Sequence, residues 1–222
     1  MLSLLKNITF NDICEFLTII GFIYYIVKRF ILKQAPIPFR ALSKVNTAMI
    51  EECICLLQKK AKEPGEPFRI SKDLEERLAE NLHDETLLKE LLLEIGAHVG
   101  IDATYIKLKF LDDTTKEYAG NIATDGTWTT ICLQLHSYYN LDVLTAVLAH
   151  EMMHLYLYYQ GIRKRENLEN EVLTDTAAVY FGYGEYLYRG YKVIETQIGF
   201  SYHKVGYIRT EDVRMIQERI AG

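Results

Sequence analysis

The sequence predicts an α+β fold in which one small sheet of three strands lies among helices. Apolar residues recur at helical spacing before residue 100 and again after residue 140. Between these regions, residues 105–135 contain short stretches in which apolar and polar side chains alternate, as they do in strands. With 222 residues, 49% of them hydrophobic, the chain suits one domain, with or without an appendage.

Residues 1–35 form a hydrophobic N-terminal segment, of which residues 13–32 read ICEFLTIIGFIYYIVKRFIL. At about 1.5 Å per residue, its apolar run, Phe16–Val27, is shorter than a hydrocarbon core of roughly 30 Å. Two interpretations therefore stand: a membrane anchor, and a hydrophobic helix docked on the domain. Acidic residues before the run argue against a secretory signal. Basic residues follow the run, so we expect a cytoplasmic or membrane-anchored protein whose main domain faces the cytoplasm.

Residues 36–100 are predicted to form a helical region. It begins within APIPF, residues 35–39, because each proline disfavours helical backbone at the preceding residue. The predicted helices cover residues 44–62, a stretch capped by Ser71, and residues 87–95 as far as Gly96.

Residues 101–222 are predicted to form a second domain that starts with the strands. The predicted strands are residues 105–111, 118–123 and 127–135, with TDG at residues 124–126 as a hairpin turn. The predicted helices that follow are residues 141–159, closed by Gly161, residues 166–181, and a last one that begins at Thr210.

The long predicted helix contains the sequence His150-Glu-Met-Met-His154. A helix turns about 100° per residue, so the two histidines lie one above the other with Glu151 on the same side. Two neutral imidazoles on one helix face can bind zinc, and the adjacent carboxylate can act as the general base toward a zinc-bound water.

The surroundings of this motif argue against a chance match. The helix is apolar on nearly all sides, which predicts that it is buried. Burying two histidines and a glutamate costs several kcal/mol unless these groups are paired or bind a metal. The sequence therefore predicts a metal site.

A third ligand is expected, since catalytic zinc commonly has three protein ligands and one open position. Glu171 and Asp175 are four residues apart on one face of the next predicted helix, among core residues. If Glu171 binds the metal, Asp175 lies one turn along, where it can accept a hydrogen bond from a ligand histidine. The alternative for this pair is an ordinary solvated helix face.

The combination of His-Glu-x-x-His with Glu-x-x-x-Asp on a following helix resembles the gluzincin pattern of zinc metallopeptidases. Residues 170–175, NEVLTD, resemble the Asn-Glu-x-x-x-Asp stretch of thermolysin-like enzymes. The same spacing also resembles that of the membrane-linked prenyl-protease and HtpX group. The resemblance covers residues 104–181, about a third of the chain. The short connection between the two motifs implies a minimal zincin.

This resemblance implies a role for each matching residue. It makes His150, His154 and Glu171 the zinc ligands, Glu151 the general base, and Asp175 the partner that orients a ligand histidine. The fold it implies is zincin-like: a small three-stranded sheet packed on an active-site helix and on a following ligand-bearing helix, after a helical N-terminal region.

Two further assignments depend on this expected fold. In zincins an edge strand beside the active-site helix holds the substrate through its main chain, and residues 127–135, with Thr129, Ile131 and Leu133, are predicted to do so. The alternative is an interior strand with both edges paired. The second assignment is His203, in FSYHKVGY, which is predicted to stabilise the negative charge that develops on the substrate carbonyl oxygen.

These observations predict a zinc-dependent hydrolase that cleaves a peptide or protein substrate. The alternative is a non-catalytic module, stabilised by zinc, that binds peptides or acts as a sensor. A nucleic-acid partner is not expected, because the net charge is -5 and the sequence contains no basic stripe. Membrane association through residues 13–32 is expected only if that segment is an anchor.

Overall fold

The structure is a computed structural model that describes residues 44–111, 119–124, 128–191, 194–195, 202–203 and 205–221. The chain divides into two units, Met1–Pro36 and Ile37–Gly222. The first unit contains the hydrophobic segment at residues 13–32 and lies outside the described residues. Among the helices that the structure describes, none is long and apolar enough to cross a membrane.

The order of helices and strands agrees with an α+β fold. The helices are α1 (Thr47–Lys60), α2 (Lys72–Glu80), α3 (Glu85–Val99), α4 (Leu141–Tyr159), α5 (Asn167–Ala178), α6 (Gly184–Gly190) and α7 (Thr210–Ala221). The strands are β1 (Ile106–Leu111), β2 (Gly120–Thr124), β3 (Thr129–Gln134), β4 (Ile194–Glu195) and β5 (Tyr202–His203). A 3-10 turn, Ala103–Tyr105, precedes β1, and a π-helical turn, Val179–Tyr183, joins α5 to α6.

The first three strands form one mixed sheet in the order β1-β3-β2. Strand β3 pairs in parallel with β1, with Ile106 opposite Thr129. It pairs antiparallel with β2, with Ile122 opposite Ile131. The predicted three-stranded sheet is therefore confirmed, and β3 is its central strand.

The prediction that residues 127–135 form the edge strand that holds a substrate is wrong. Both edges of β3 are already hydrogen-bonded, to β1 and to β2, so its main chain is not free to pair with a peptide. Ile131 and Leu133 are fully buried in the core, and Thr129 is half-buried. Within the described residues, the outer edge of β2 is unpaired, and β2 contacts α4.

Two helix ends also differ from the sequence expectation. Helix α3 continues through Gly96, which packs against Ala103, and ends at Gly100, whose φ of 77° suits glycine. Helix α5 ends at Ala178 rather than near residue 181, because the backbone changes direction within Val179–Tyr183. We call Val179–Tyr183 the kink.

The kink frees main-chain carbonyl groups, and hydrogen-bond donors from elsewhere take them up. The amide of Gly65 donates to the carbonyl of Tyr180 at 3.0 Å, and the amide of Phe68 donates to that of Gly182 at 3.0 Å. His98 Nε2 donates to the carbonyl of Phe181 at 2.9 Å. The loop before α2 and the end of α3 therefore hold the kink in place.

Candidate metal centre

Helices α4 and α5 pack against each other and carry the predicted site between them. Asn140 is the N-cap of helix α4, because its side chain accepts a hydrogen bond from the amide of Val143 at 3.0 Å. It is buried along almost its whole length, as its apolar surface predicted. The side chains of the motif residues on α4 therefore face the buried side of α5.

Three side-chain atoms converge between these helices. His150 Nε2 and His154 Nε2 lie 3.0 Å apart. Glu171 Oε2 lies 3.1 Å from His150 Nε2 and 3.2 Å from His154 Nε2. These residues form the group that could hold a metal ion among the described residues.

The other nitrogen of each imidazole already has a partner. His150 Nδ1 lies 2.7 Å from Asp175 Oδ1, and a carboxylate can only accept, so Nδ1 carries the hydrogen. His154 Nδ1 lies 3.2 Å from Thr174 Oγ1. Thr174 donates its one hydroxyl hydrogen to the carbonyl of Asn170 at 2.8 Å, so it accepts from His154.

These partners leave an excess of acceptors at the point of convergence. A neutral imidazole protonated at Nδ1 presents only a lone pair at Nε2, and the carboxylate of Glu171 adds a negatively charged acceptor. Three acceptors within 3.2 Å of one another, two of them on buried residues and one on half-buried His154, repel unless a cation, either a proton or a metal ion, lies among them.

The spacing of the three atoms fits a metal ion. Four-coordinate tetrahedral zinc with bonds of about 2.0–2.2 Å holds its ligand atoms roughly 3.3 Å apart. The observed separations of 3.0, 3.1 and 3.2 Å lie slightly below that value. A small outward movement of each side chain would accommodate the ion.

Without a metal ion, the charges of the centre favour one proton on the histidines. Burial alone would lower the pKa of His150, but Asp175 and Glu171 raise it well above its usual value. Burial opposes ionisation of Glu171, yet the adjacent His150 and His154 lower its pKa to about 2. Both shifts favour a proton on the histidines beside an ionised Glu171.

Asp175 is fully buried and joins the metal centre to the C-terminal part of the chain. Its Oδ1 accepts from the Tyr191 hydroxyl at 2.5 Å as well as from His150. Its Oδ2 accepts from the amides of Tyr207 at 2.6 Å and Ile208 at 3.2 Å. Several donors thus compensate its buried charge and fix the direction in which it faces His150.

Glu151 lies beside the histidines and is 5% exposed. Burial raises its pKa above the usual value for glutamate, although the neighbouring histidines oppose that effect. Strand β2 approaches it closely at Gly120, where an added Cβ would lie 2.8 Å from Glu151 Oε1 and 2.7 Å from Val147 Cγ1. A glycine at this position therefore leaves room for the carboxylate.

Tyr207 covers one face of the centre. Its ring stacks on that of His150, with centroids 5.6 Å apart and planes inclined by 28°. Its hydroxyl has no hydrogen-bond partner within the part of the chain that the structure describes. Burial, followed by the charges of Glu171, Asp175 and Glu151, raises the pKa of Tyr207.

The structure thus brings together most of the residues that the sequence singled out. Glu151 and the four residues expected around zinc form one buried cluster. His203 pairs through its backbone with Ile194 in the β4–β5 hairpin, and its side chain lies outside the described part of the structure. The role predicted for His203 stays a prediction.

Sequence analysis missed Thr174, Gly120, Tyr191 and Tyr207. Thr174 follows Glu171 by three residues, so the helical period that paired Glu171 with Asp175 could also have identified it. The other three come from distant parts of the chain, and no local pattern relates them to the motif.

Comparison with known proteins finds no matching family, no matching curated protein and no matching solved structure. The site therefore has to be interpreted from its own geometry.

Proposed function

We propose that this chain is a zinc-dependent peptidase of the gluzincin type, with a minimal zincin-like domain. The observation that carries the proposal is the convergence of three acceptor atoms from His150, His154 and Glu171, with Glu151 buried beside them. Two imidazoles and one carboxylate are a common ligand set for catalytic zinc, in which a fourth position stays open. When bound, zinc supplies a Lewis acid that polarises a carbonyl group and lowers the pKa of a water molecule.

Glu151 acts as the general base in this proposal. It takes a proton from the attacking water and passes it to the leaving amine. Its burial supports this role, because a raised pKa brings the carboxylate closer to the range in which it both accepts and returns a proton near neutral pH.

Tyr207 is the residue of the described structure best situated to assist the carbonyl oxygen. Its ring lies against His150, and its hydroxyl is a donor without a partner among the described residues. A neutral phenol can donate a hydrogen bond to an oxygen that gains negative charge in the transition state. This assignment gives Tyr207 the role that sequence analysis expected of His203.

Strand β2 replaces β3 as the strand that we expect to hold the substrate. Its outer edge is unpaired within the described residues, and it approaches the general base at Gly120. An extended peptide can pair with such an edge through main-chain hydrogen bonds, which makes the substrate a peptide or an unfolded segment of a protein.

The test combines metal analysis with a cleavage assay. We expect about one zinc ion per chain, cleavage within a peptide library, and loss of cleavage with a chelator. Glu151→Gln should retain zinc while hydrolysis falls by at least about 10²-fold. Glu218→Gln is the matched control, because Glu218 is exposed on α7, and it should behave as wild type.

Two results would contradict the proposal in different ways. Protein that folds but never binds zinc would remove the metal centre altogether. Protein that binds zinc but cleaves no peptide, with Glu151→Gln indistinguishable from wild type, would favour the non-catalytic peptide-binding module.

A further inference from the structure

We infer that Thr174 is a positioning residue of the metal centre, whose hydroxyl holds His154 in the tautomer that presents Nε2 to the metal ion. Thr174 belongs to neither sequence motif. The inference rests on the proposed metal centre but does not require that the protein cleave peptides.

The direction of two hydrogen bonds supports this role. Thr174 Oγ1 lies 2.8 Å from the carbonyl oxygen of Asn170, which can only accept, so the hydroxyl hydrogen points there. The oxygen lone pairs then face His154 Nδ1 at 3.2 Å. Because Nδ1 must donate in this contact, Nε2 of the same ring stays unprotonated and available.

Two other threonines show what the ordinary structural role looks like. Thr145 donates to the carbonyl of Leu141 at 2.7 Å, and Thr176 donates to that of Val172 at 2.7 Å. Both are buried, and each makes the backbone hydrogen bond that is common for threonine within a helix. Among these three residues, Thr174 alone also contacts an imidazole in the described hydrogen bonds.

The inference explains how side chains on one face of α5 orient both histidines. Glu171 supplies the third ligand, Thr174 lies three residues on, and Asp175 lies four residues on. These spacings place all three side chains on the same helix face. One histidine is thus oriented by a carboxylate and the other by a neutral hydroxyl, so we expect Thr174 to contribute less to metal affinity than Asp175.

The experiment compares zinc affinity among three variants of the full chain. Thr174→Val removes the acceptor at nearly constant volume, whereas Thr174→Ser keeps it. Thr176→Val is the matched control, because it makes the same change two residues further along α5, at a buried threonine with the same type of backbone hydrogen bond. Affinity is measured by competition with a chelating dye, after circular dichroism has verified that each variant is folded.

We expect Thr174→Val to weaken zinc binding about 10-fold relative to Thr176→Val, at the lower end of the range for residues that orient metal ligands. Thr174→Ser should restore most of the affinity. Equal affinities for the two valine variants would overturn the inference, as would a serine variant as weak as Thr174→Val. A wild-type protein without any zinc affinity would instead contradict the proposed metal centre. A wild-type protein that binds zinc but cleaves no peptide would contradict only the proposed catalysis.

Discussion

The metal centre and the kink both bring histidine into contact with polar atoms, yet their hydrogen bonds balance differently. At the kink, each of three successive carbonyls receives one donor. The amide of Gly65 donates to Tyr180, His98 Nε2 donates to Phe181, and the amide of Phe68 donates to Gly182. At the metal centre, His150 Nε2 and His154 Nε2 both face one carboxylate oxygen, so acceptors outnumber donors there.

The difference shows that the burial of a polar cluster is not by itself a sign of function. A buried cluster with matched donors and acceptors is complete, because every group has a partner. A buried cluster with an excess of acceptors needs a cation to be stable. His98 therefore has a matched partner at the kink, whereas His150 and His154 form part of the group that could hold a metal ion.

The largest expected effect is the loss of a ligand at the metal centre. Glu171→Ala should weaken zinc binding by more than about 10²-fold, because it removes an anionic ligand rather than a group that orients one. His98→Ala should leave zinc affinity unchanged and lower only the stability of the kink. Titration of both variants with zinc in the presence of a competing chelator measures the contrast.

One pattern of results would reassign the third ligand. If Asp175→Ala released the metal while Glu171→Ala retained it, Asp175 would be the ligand and Glu171 an auxiliary group. The contacts of Asp175 argue against that outcome, since its two oxygens already accept from His150, Tyr191 and two backbone amides.

The next expected effect concerns the stability of the kink. Gly182 has a φ of 97°, and an added Cβ would lie 2.0 Å from the carbonyl oxygen of Glu66. Gly182→Ala should lower the free energy of unfolding by about 1–3 kcal/mol for the backbone strain alone, and the steric clash adds to this. Urea denaturation monitored by circular dichroism measures the change.

Gly161→Ala is the matched control for this change. Gly161 also has a positive φ, of 62°, but an added Cβ would meet no atom within 4 Å. Its substitution should therefore cost only the strain, and Gly182→Ala should be clearly the less stable of the two. Equal stabilities would mean that the kink tolerates a shift of the loop before α2.

The sequence predicted which side chains form the candidate metal centre better than it predicted the order of the strands, and the reason is physical. His150, Glu151 and His154 lie on one helix, as do Glu171 and Asp175, so the helical period alone determines which side chains share a face. The core residues around both helices then indicated that those faces are buried. Only the packing of α4 on α5, which brings the two groups together, had to be inferred from the resemblance.

Strand order could not be obtained in this way. The β-branched residues in 127–135 predict a strand, but central and edge strands can share that composition. The order β1-β3-β2 depends on which neighbours pair, and only the structure reveals it. The end of α3 was predicted too early for a related reason. Gly96 lies within the helix, and the close approach of Ala103 explains why this residue is a glycine.

A further prediction uses the proton that the metal-free centre holds. The pKa of His150 is raised, so we expect this group to carry a proton without metal, whereas Glu171 has a pKa lowered to about 2 and favours its ionised form. Zinc needs the lone pair of His150 Nε2, so binding should release about one proton. Zinc affinity should therefore rise about tenfold per pH unit until the pH reaches the raised pKa of His150. Calorimetry in two buffers with different ionisation enthalpies counts the protons, and a value near zero at pH 7 would contradict this account.

The smallest expected effect tests whether β2 leaves room for the general base. Gly120→Ala places a methyl group where Glu151 Oε1 and Val147 Cγ1 now lie, so the carboxylate has to move. A misplacement of about 1 Å in a catalytic group can lower the rate about 10²-fold. Because the Glu151 side chain is flexible, we expect its carboxylate to move by less than this and hydrolysis to fall by about 10-fold. Zinc affinity should stay close to wild type, because the atoms nearest to the added Cβ belong to Val147 and Glu151 and to none of the three ligands. Gly184→Ala is the control, since its added Cβ would meet only the Gln217 side chain, 2.6 Å away, among its nearest neighbours. If Gly120→Ala cleaved peptides as fast as Gly184→Ala, the position of Glu151 would not depend on β2. If it lost zinc as well, the strand would support the ligands and not the base alone.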